Sequence, residues 1–211
     1  MEQFVRDIYF GEIAKQCKYA LSAIGSRNYC LQQLHSMNIK STAEQREYYQ
    51  SEVFRSIHSF LTHASNVSRL LWPPKPKQRK NEDNESYENR CNQIKRLSRA
   101  NELRADLAIP QESLCLENRT LRDHLEHFDE RIDQWEENSP NRIFVDNLIG
   151  CCNSIGGVRE SDILRSFDPT TNYFIFRGES FDLQTLVTAI DKLMPIVESK
   201  LEARWPRIQR I

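Results

Sequence analysis

A chain of 211 residues with 39% hydrophobic and 28% charged residues is long enough to bury a core without disulfides or structural metal. Its net charge of −1 excludes bulk attraction to polyanions, and no apolar run approaches the roughly 20 residues that span a bilayer. The sequence therefore predicts one domain over residues 1–211, with no membrane partner and a cytoplasmic location.

The N-terminal part of the chain predicts two long helices. Apolar residues recur every three to five positions over residues 2–37, as one helix or as two with a break near Gly25. Thr42 offers a cap for the next helix, which is expected to run to Leu71, because Pro73 supplies no amide donor and clashes with a preceding turn.

A polar, basic segment follows. Residues 73–87 contain almost no apolar side chain, which predicts an exposed, mobile loop, and a third helix is expected from about Glu88 to Leu107. Between Arg69 and Arg104 the chain has ten Lys or Arg against five Asp or Glu, whereas residues 105–139 are acidic. The basic segment either binds nucleic acid or pairs with the acidic segment, and the sequence leaves both open.

A fourth helix has the most regular apolar stripe in the chain. Ser113 is its expected cap and Pro140 its end. The stripe repeats at spacings of four and three, and the first four of its members are predicted to be buried. These residues are Leu121, Leu125, Phe128, Ile132 and Trp135.

The last third of the chain changes character. Residues 142–180 are predicted to form a β-containing insertion, with a strand near 142–149 and a hairpin of Ile163–Phe167 with Tyr173–Arg177. A final helix is expected from about Phe181 to Arg204. The predicted fold class is therefore mainly α, a four- to five-helix bundle with a small β-hairpin element in its C-terminal third.

Polar residues of the fourth helix form the strongest candidate for chemistry. Asp123 and His127 lie one helical turn apart, so the carboxylate can orient the imidazole and raise its pKa. Arg119 extends the same row, and Arg122 lies on an adjacent flank. A guanidinium that holds a phosphate beside a histidine that moves a proton suits a phosphodiester substrate.

Arg122, Asp123 and His127 resemble the motif of the HEPN domains, in which an Arg, a polar residue and a later His occupy a late helix of a bundle. The resemblance implies a metal-independent endoribonuclease without cofactors. It also implies a homodimer whose two motifs form one composite site, with Arg119 and His124 as substrate-binding residues. The setting that it implies is toxin–antitoxin or antiviral defence. Asp123 departs from the commoner Asn and places an anion beside the scissile phosphate.

Two other interpretations of this motif stay open. The chain resembles HEPN members that are catalytically inactive and bind a nucleotide, a cognate antitoxin or another partner protein. Alternatively, Arg119, Arg122, Asp123 and Glu126 form ordinary ion pairs on a solvated helix face.

The remaining metal and histidine signals are weak. His124 and His127 are three residues apart, but Glu126 completes no known ligand pattern. His58 and His63 lie on the second helix without a carboxylate at ligand spacing, which favours a structural role. The six cysteines show no CxxC pair and no zinc spacing, so no metal is expected.

Overall fold

The computed structural model describes residues 1–118, 128–139, 142–150 and 155–202, which are mainly helical with a small sheet near the C-terminus. The helices are α1 (Gln3–Ser36), α2 (Ala43–Leu71), α3 (Asn84–Gln93), α4 (Lys95–Leu107), α5 (Phe128–Asn138) and α6 (Leu183–Glu202), with short 3-10 helices at Gln111–Glu117 and Glu160–Asp162. The strands are β1 (Leu148–Ile149), β2 (Arg165–Asp168), β3 (Tyr173–Phe176) and β4 (Glu179–Asp182). The predicted combination of a mainly α chain with a small β element is confirmed for these ranges. No helix within them is both long and apolar enough to cross a lipid bilayer.

The core is centred on α1 and α2, which pack along one another. The expected break near Gly25 is wrong, because α1 continues through this residue to Ser36. A glycine inside a helix costs about 1 kcal/mol relative to alanine, an amount that burial of a long apolar face readily exceeds. The fully buried residues of this pair include Ile13, Ala20, Val53, Ile57 and Phe60.

Both ends of α2 follow the sequence signals. The Thr42 hydroxyl accepts a hydrogen bond from the Gln45 amide, and the Gln45 side chain accepts one from the Thr42 amide, each at 3.1 Å. This reciprocal capping box satisfies two backbone donors that would otherwise lack partners. The helix ends at Leu71, before Trp72 and the first proline, as predicted.

The predicted third helix is two helices. Its start at Glu88 is wrong, since α3 begins at Asn84, where the Asp83 carboxylate accepts from the Ser86 amide at 2.8 Å. The break falls at Ile94, whose ψ of 112° is extended rather than helical. In α4 the buried residues Leu97, Ala100, Leu103 and Leu107 recur at spacings of three and four, so this helix presents an apolar face inward.

The predicted fourth helix does not begin at Ser113. Residues Gln111–Glu117 form a 3-10 helix, and the Ser113 hydroxyl donates to the Ala189 carbonyl at 2.9 Å instead of capping a helix. Ile132 of α5 is 37% exposed, so its predicted burial is wrong. The reason is that α5 packs through Trp135, whose indole donates to the Ile143 carbonyl at 2.9 Å. Leu121, Leu125 and the Phe128 side chain lie outside the described residues.

The described strands form one sheet in the order β1-β2-β3-β4, parallel between β1 and β2 and antiparallel elsewhere. The predicted hairpin is confirmed, with Phe167 opposite Phe174. The strand predicted over 142–149 is reduced to Leu148–Ile149 and a bridge at Val145. The prediction missed β4. Gly178, at a φ of +80°, permits a tight turn that folds β4 back onto β3.

The sheet and α6 complete the core against the two long helices. The Arg27 guanidinium of α1 lies 5.2 Å from the Phe167 ring of β2, and the Gln50 side chain of α2 donates to the Asn147 carbonyl at 2.6 Å. Helix α6 packs along α1 and buries Ile190 and Leu193. The chain therefore joins its first and last described helices in one core.

Candidate functional site

The five predicted site residues, Arg119, Arg122, Asp123, His124 and His127, all lie outside the described residues. The structure therefore gives no distance between them. It does describe both ends of the segment that carries them. The 3-10 helix ends at Glu117 and is followed by Asn118, whose backbone is extended with a ψ of 126°, and α5 begins at Phe128.

The N-terminal end of that segment is fixed to the core. Ser113 donates a hydrogen bond to Ala189, and both residues are buried in the core. Leu116, in the same turn, is only 2% exposed. The Cys115 thiol donates to the Glu112 carbonyl at 3.3 Å, and burial raises its pKa. The motif therefore follows directly on a buried, hydrogen-bonded turn.

A cavity of about 230 Å³ adjoins Asn118; we call it the Asn118 cavity. Its apolar wall includes Leu61, Phe181 and Leu186. Ser68 lines it too, and the Oγ atom of this side chain is buried without a hydrogen-bond partner.

The carboxylate at the edge of the Asn118 cavity already accepts hydrogen bonds within the protein. Asp182 accepts hydrogen bonds from the Thr185 hydroxyl at 2.7 Å and the Thr185 amide at 3.0 Å, which cap α6 and lower the pKa of Asp182. The cavity thus combines a mostly apolar wall with one buried hydroxyl that a ligand could satisfy.

A larger cleft of about 470 Å³ is lined by Glu117 of the same turn; we call it the Glu117 cleft. Lys75, Arg104 and Glu117 line it, so it joins the basic segment to the residue before Asn118. The Arg104 guanidinium donates to the Leu71 carbonyl and to the Asn101 side chain, and lies 6.0 Å from the Trp72 ring. These contacts hold one positive charge at the cleft.

Beside the cleft, residues 74–80 form an exposed segment that we call the basic arch. Its carbonyl groups accept hydrogen bonds from side chains of α3 and α4. The Tyr87 hydroxyl donates to Pro76 at 3.1 Å, Arg90 to Lys77 at 3.2 Å, and Arg96 to Pro74 at 3.2 and 3.3 Å. Within the loop predicted over residues 73–87, most of residues 74–80 are exposed, Pro73 is buried, and residues 84–87 belong to α3. The mobility of the loop stays a prediction.

An acidic side chain next to the basic arch is paired with an arginine. Glu82 accepts hydrogen bonds from the Arg90 guanidinium at 2.6 and 2.7 Å, and this contact lowers the pKa of Glu82 to about 2. Lys77, Arg79 and Lys80 are exposed and form no salt bridge with any described residue. The arch consequently presents three exposed positive charges, none in a salt bridge with a described residue, on a backbone held by hydrogen bonds.

Sequence reasoning missed the residues that hold this arch. Arg90 and Arg96 read as members of a basic run, and their spacing gives no sign that they bind carbonyl groups across 13 and 22 residues of chain. Tyr87 was the one available signal, because it is a lone aromatic residue in a polar segment.

Comparisons with known proteins found no match for this chain among protein-family models, curated proteins or solved structures.

Proposed function

We propose that this protein is a metal-independent endoribonuclease whose catalytic residues are Arg122 and His127. The observation that carries the proposal is the run Arg122-Asp123-His124-Leu125-Glu126-His127 in a mainly helical chain. The resemblance to HEPN domains rests on this run. The homodimer, the cytoplasmic location and the defence or toxin–antitoxin setting rest on that resemblance as well.

In the proposed reaction, the RNA 2′-hydroxyl attacks the adjacent phosphorus. His127 takes the hydroxyl proton as the O2′–P bond forms, and Arg122 stabilises the negative charge that grows on the phosphoryl oxygens. The P–O5′ bond breaks, and the 5′ oxygen receives a proton from solvent or from the second protomer's motif. The products are a 2′,3′-cyclic phosphate and a 5′-hydroxyl. DNA lacks the nucleophile and is not cleaved.

The basic arch supports an RNA substrate. Lys77, Arg79 and Lys80 supply positive charge on a protein whose net charge is −1. Attraction of a polyanion is therefore confined to the surface around these residues. The Glu117 cleft lies between this arch and the turn that leads into the motif. Phosphates of an RNA held at the arch would therefore lie near Glu117, two residues before the first predicted site residue in the sequence.

Asp123 has a positioning role in this proposal. Its carboxylate accepts a hydrogen bond from His127 and fixes the tautomer of the imidazole. Its charge also repels the phosphate, which Arg119 offsets. Asp123→Asn keeps the acceptor and removes the charge, so we expect it to retain cleavage or to increase it.

The Asn118 cavity favours a second candidate, a catalytically inactive module that binds a nucleotide or a partner group. Its apolar wall and the buried, unpaired Ser68 hydroxyl suit a small organic ligand. In that case the Arg/His run would contact the ligand or a partner protein without performing chemistry.

The test is cleavage of mixed RNAs by purified protein, with and without EDTA. His127→Ala and Arg122→Ala should each slow cleavage by roughly a hundred- to ten-thousandfold. The matched controls are His35→Ala and Arg46→Ala, which remove exposed residues of the same types from α1 and α2.

Cleavage by wild-type protein should survive EDTA and leave 2′,3′-cyclic phosphate ends. Full activity of the His127→Ala protein, or activity that chelation removes, would overturn the mechanism. No cleavage of any RNA would favour the binding module.

A further inference from the structure

A second polar cavity lies between α1 and α2; we call it the serine pocket. Its volume is about 230 Å³, and it shares no lining residue with the Asn118 cavity or the Glu117 cleft. Its polar lining consists of the side chains of Ser22, Ser26, Ser56, Ser59, Arg55 and His63, with the Tyr19 ring beside them. Among the described residues, no carboxylate lines it. The pocket therefore offers hydroxyl groups, one guanidinium and one imidazole.

His63 is held in one tautomer. Its Nδ1 atom lies 2.7 Å from the Gln16 side-chain oxygen, which also accepts from the Asn66 amide at 3.2 Å. The Gln16 nitrogen donates to Glu12 at 2.6 Å, which fixes the orientation of this amide. Because the Gln16 oxygen can only accept, Nδ1 must carry the proton.

The other ring nitrogen of His63 is consequently an acceptor. Burial lowers the pKa of His63, which keeps the imidazole neutral at neutral pH. The Tyr19 ring, 5.2 Å from the imidazole, packs against the histidine. Nε2 thus keeps a lone pair for a ligand that can donate a proton.

The Ser26 hydroxyl donates to the Ser22 carbonyl at 3.3 Å, whereas the Ser56 hydroxyl remains unused. Ser56 is 1% exposed, and its Oγ atom has no hydrogen-bond partner. Such a buried, unpaired group destabilises the folded chain unless something satisfies it. Arg55 binds Glu52 through Nε at 2.7 Å and Nη2 at 2.6 Å, which leaves Nη1 uninvolved in that pair.

We propose that the serine pocket binds a phosphate group, as inorganic phosphate or as a phosphate monoester. The phosphate oxygens accept hydrogen bonds from the hydroxyls of Ser22, Ser56 and Ser59 and from Arg55 Nη1. The monoanionic form of the phosphate group, which predominates below its second pKa of about 6 and remains as the minor form at pH 7, carries a P–OH that donates to His63 Nε2. A metal cation fits poorly, since it would face Arg55 with no carboxylate among the described residues of the lining.

The same chemistry predicts selectivity. Sulfate has nearly the same size and charge as phosphate but carries no proton near neutral pH. Bound sulfate would place an oxygen lone pair against the lone pair of His63 Nε2. We expect phosphate to bind at least about tenfold more tightly than sulfate, the factor that corresponds to loss of one hydrogen bond to a charged group.

The experiment is NMR of the histidine rings in the full chain, titrated with inorganic phosphate, then with a nucleoside monophosphate, then with sulfate. The His63 signals are assigned from their absence in His63→Gln. We expect a saturable shift of the His63 ring with phosphate and a much weaker response to sulfate. If the monophosphate binds and inorganic phosphate does not, the ligand is an organic ester.

Two variants of α2 complete the test. Arg55→Gln should weaken phosphate binding about tenfold, while Arg46→Gln, at an exposed arginine of the same helix, should leave it unchanged. Absence of any saturable His63 shift with either phosphate compound, an equal response to sulfate, or equal losses in the two arginine variants would overturn the proposal. None of these measurements uses RNA, so the result is independent of the proposed nuclease activity.

Discussion

The α1–α2 pair and the C-terminal sheet region are stabilised in different ways. Along α1 and α2, apolar side chains such as Ile57 and Phe60 are fully buried. In the sheet region a carboxylate is fully buried: Asp162 accepts hydrogen bonds from the Ser139 hydroxyl at 3.0 Å and the Arg159 amide at 3.1 Å. The sheet also buries Phe167 and Phe176 in the same core, so loss of volume should damage both regions, whereas sensitivity to loss of a single buried hydrogen bond is expected where Asp162 lies.

The largest effect is expected in the helical pair. Phe60→Ala leaves a cavity where the ring was and should lower the free energy of unfolding by about 3–5 kcal/mol. Urea denaturation measures this loss. Tyr48→Ala on the same helix, at a residue 60% exposed, is the control and should change stability by no more than about 0.5 kcal/mol. Similar losses in both variants would refute the assignment of the core.

A smaller effect is expected from the buried carboxylate of the sheet region. Asp162→Ala leaves the Ser139 hydroxyl and the Arg159 amide without their acceptor and should cost about 1–3 kcal/mol. Asp162→Asn keeps one acceptor oxygen and should cost less. Glu160→Ala, an exposed carboxylate of the same turn, serves as the control. A stability of Asp162→Ala equal to that of wild type would show that this network does not stabilise the region.

The smallest effect is a local one with pH. In the β2–β3 turn, Asp168 accepts hydrogen bonds from the Thr170 amide at 2.9 Å and the Thr171 hydroxyl at 3.0 Å, and these lower its pKa below the ordinary value of 3.8. A lowered folded-state pKa means that the stabilisation is complete above the ordinary value and disappears as the pH falls through the lowered one.

The protection of the hairpin amides, relative to their intrinsic exchange rates, should therefore fall below about pH 4, the region of the ordinary Asp pKa, before that of the α2 amides does. Asp168→Asn cannot titrate and should remove this part of the pH dependence. If wild type and Asp168→Asn lose hairpin protection identically in acid, titratable groups other than Asp168 cause the loss.

The same contrast explains how far the sequence could predict the fold. Helices α1 and α2 were predictable because their apolar periodicity, the Thr42 cap and Pro73 are all local signals. The β2–β3 hairpin was predictable from Asp168 and the residues that follow it. The break at Ile94 and the burial of Asp162 were not, because each depends on contacts that the local sequence does not encode.

The candidate site divides in a similar way. Arg122 and His127 are recognisable from their spacing alone, which is why the sequence could propose a chemistry for them. The basic arch could be recognised by composition but not by its fixed backbone, since its carbonyl groups are held by Arg90 and Arg96 from other helices. The serine pocket gave no linear signal, because its polar groups come from two helices whose small residues are typical of close packing.

The packing of α6 along α1 has a consequence for biosynthesis. The ribosome makes α1 and α2 more than a hundred residues before the helix that covers part of their apolar surface. Until α6 emerges, the nascent pair exposes side chains that finally lie against Ile190 and Leu193. Slow elongation or premature termination in this interval would leave a partly folded, aggregation-prone chain. Chaperones that shield apolar surface would be needed mainly during this stage of synthesis.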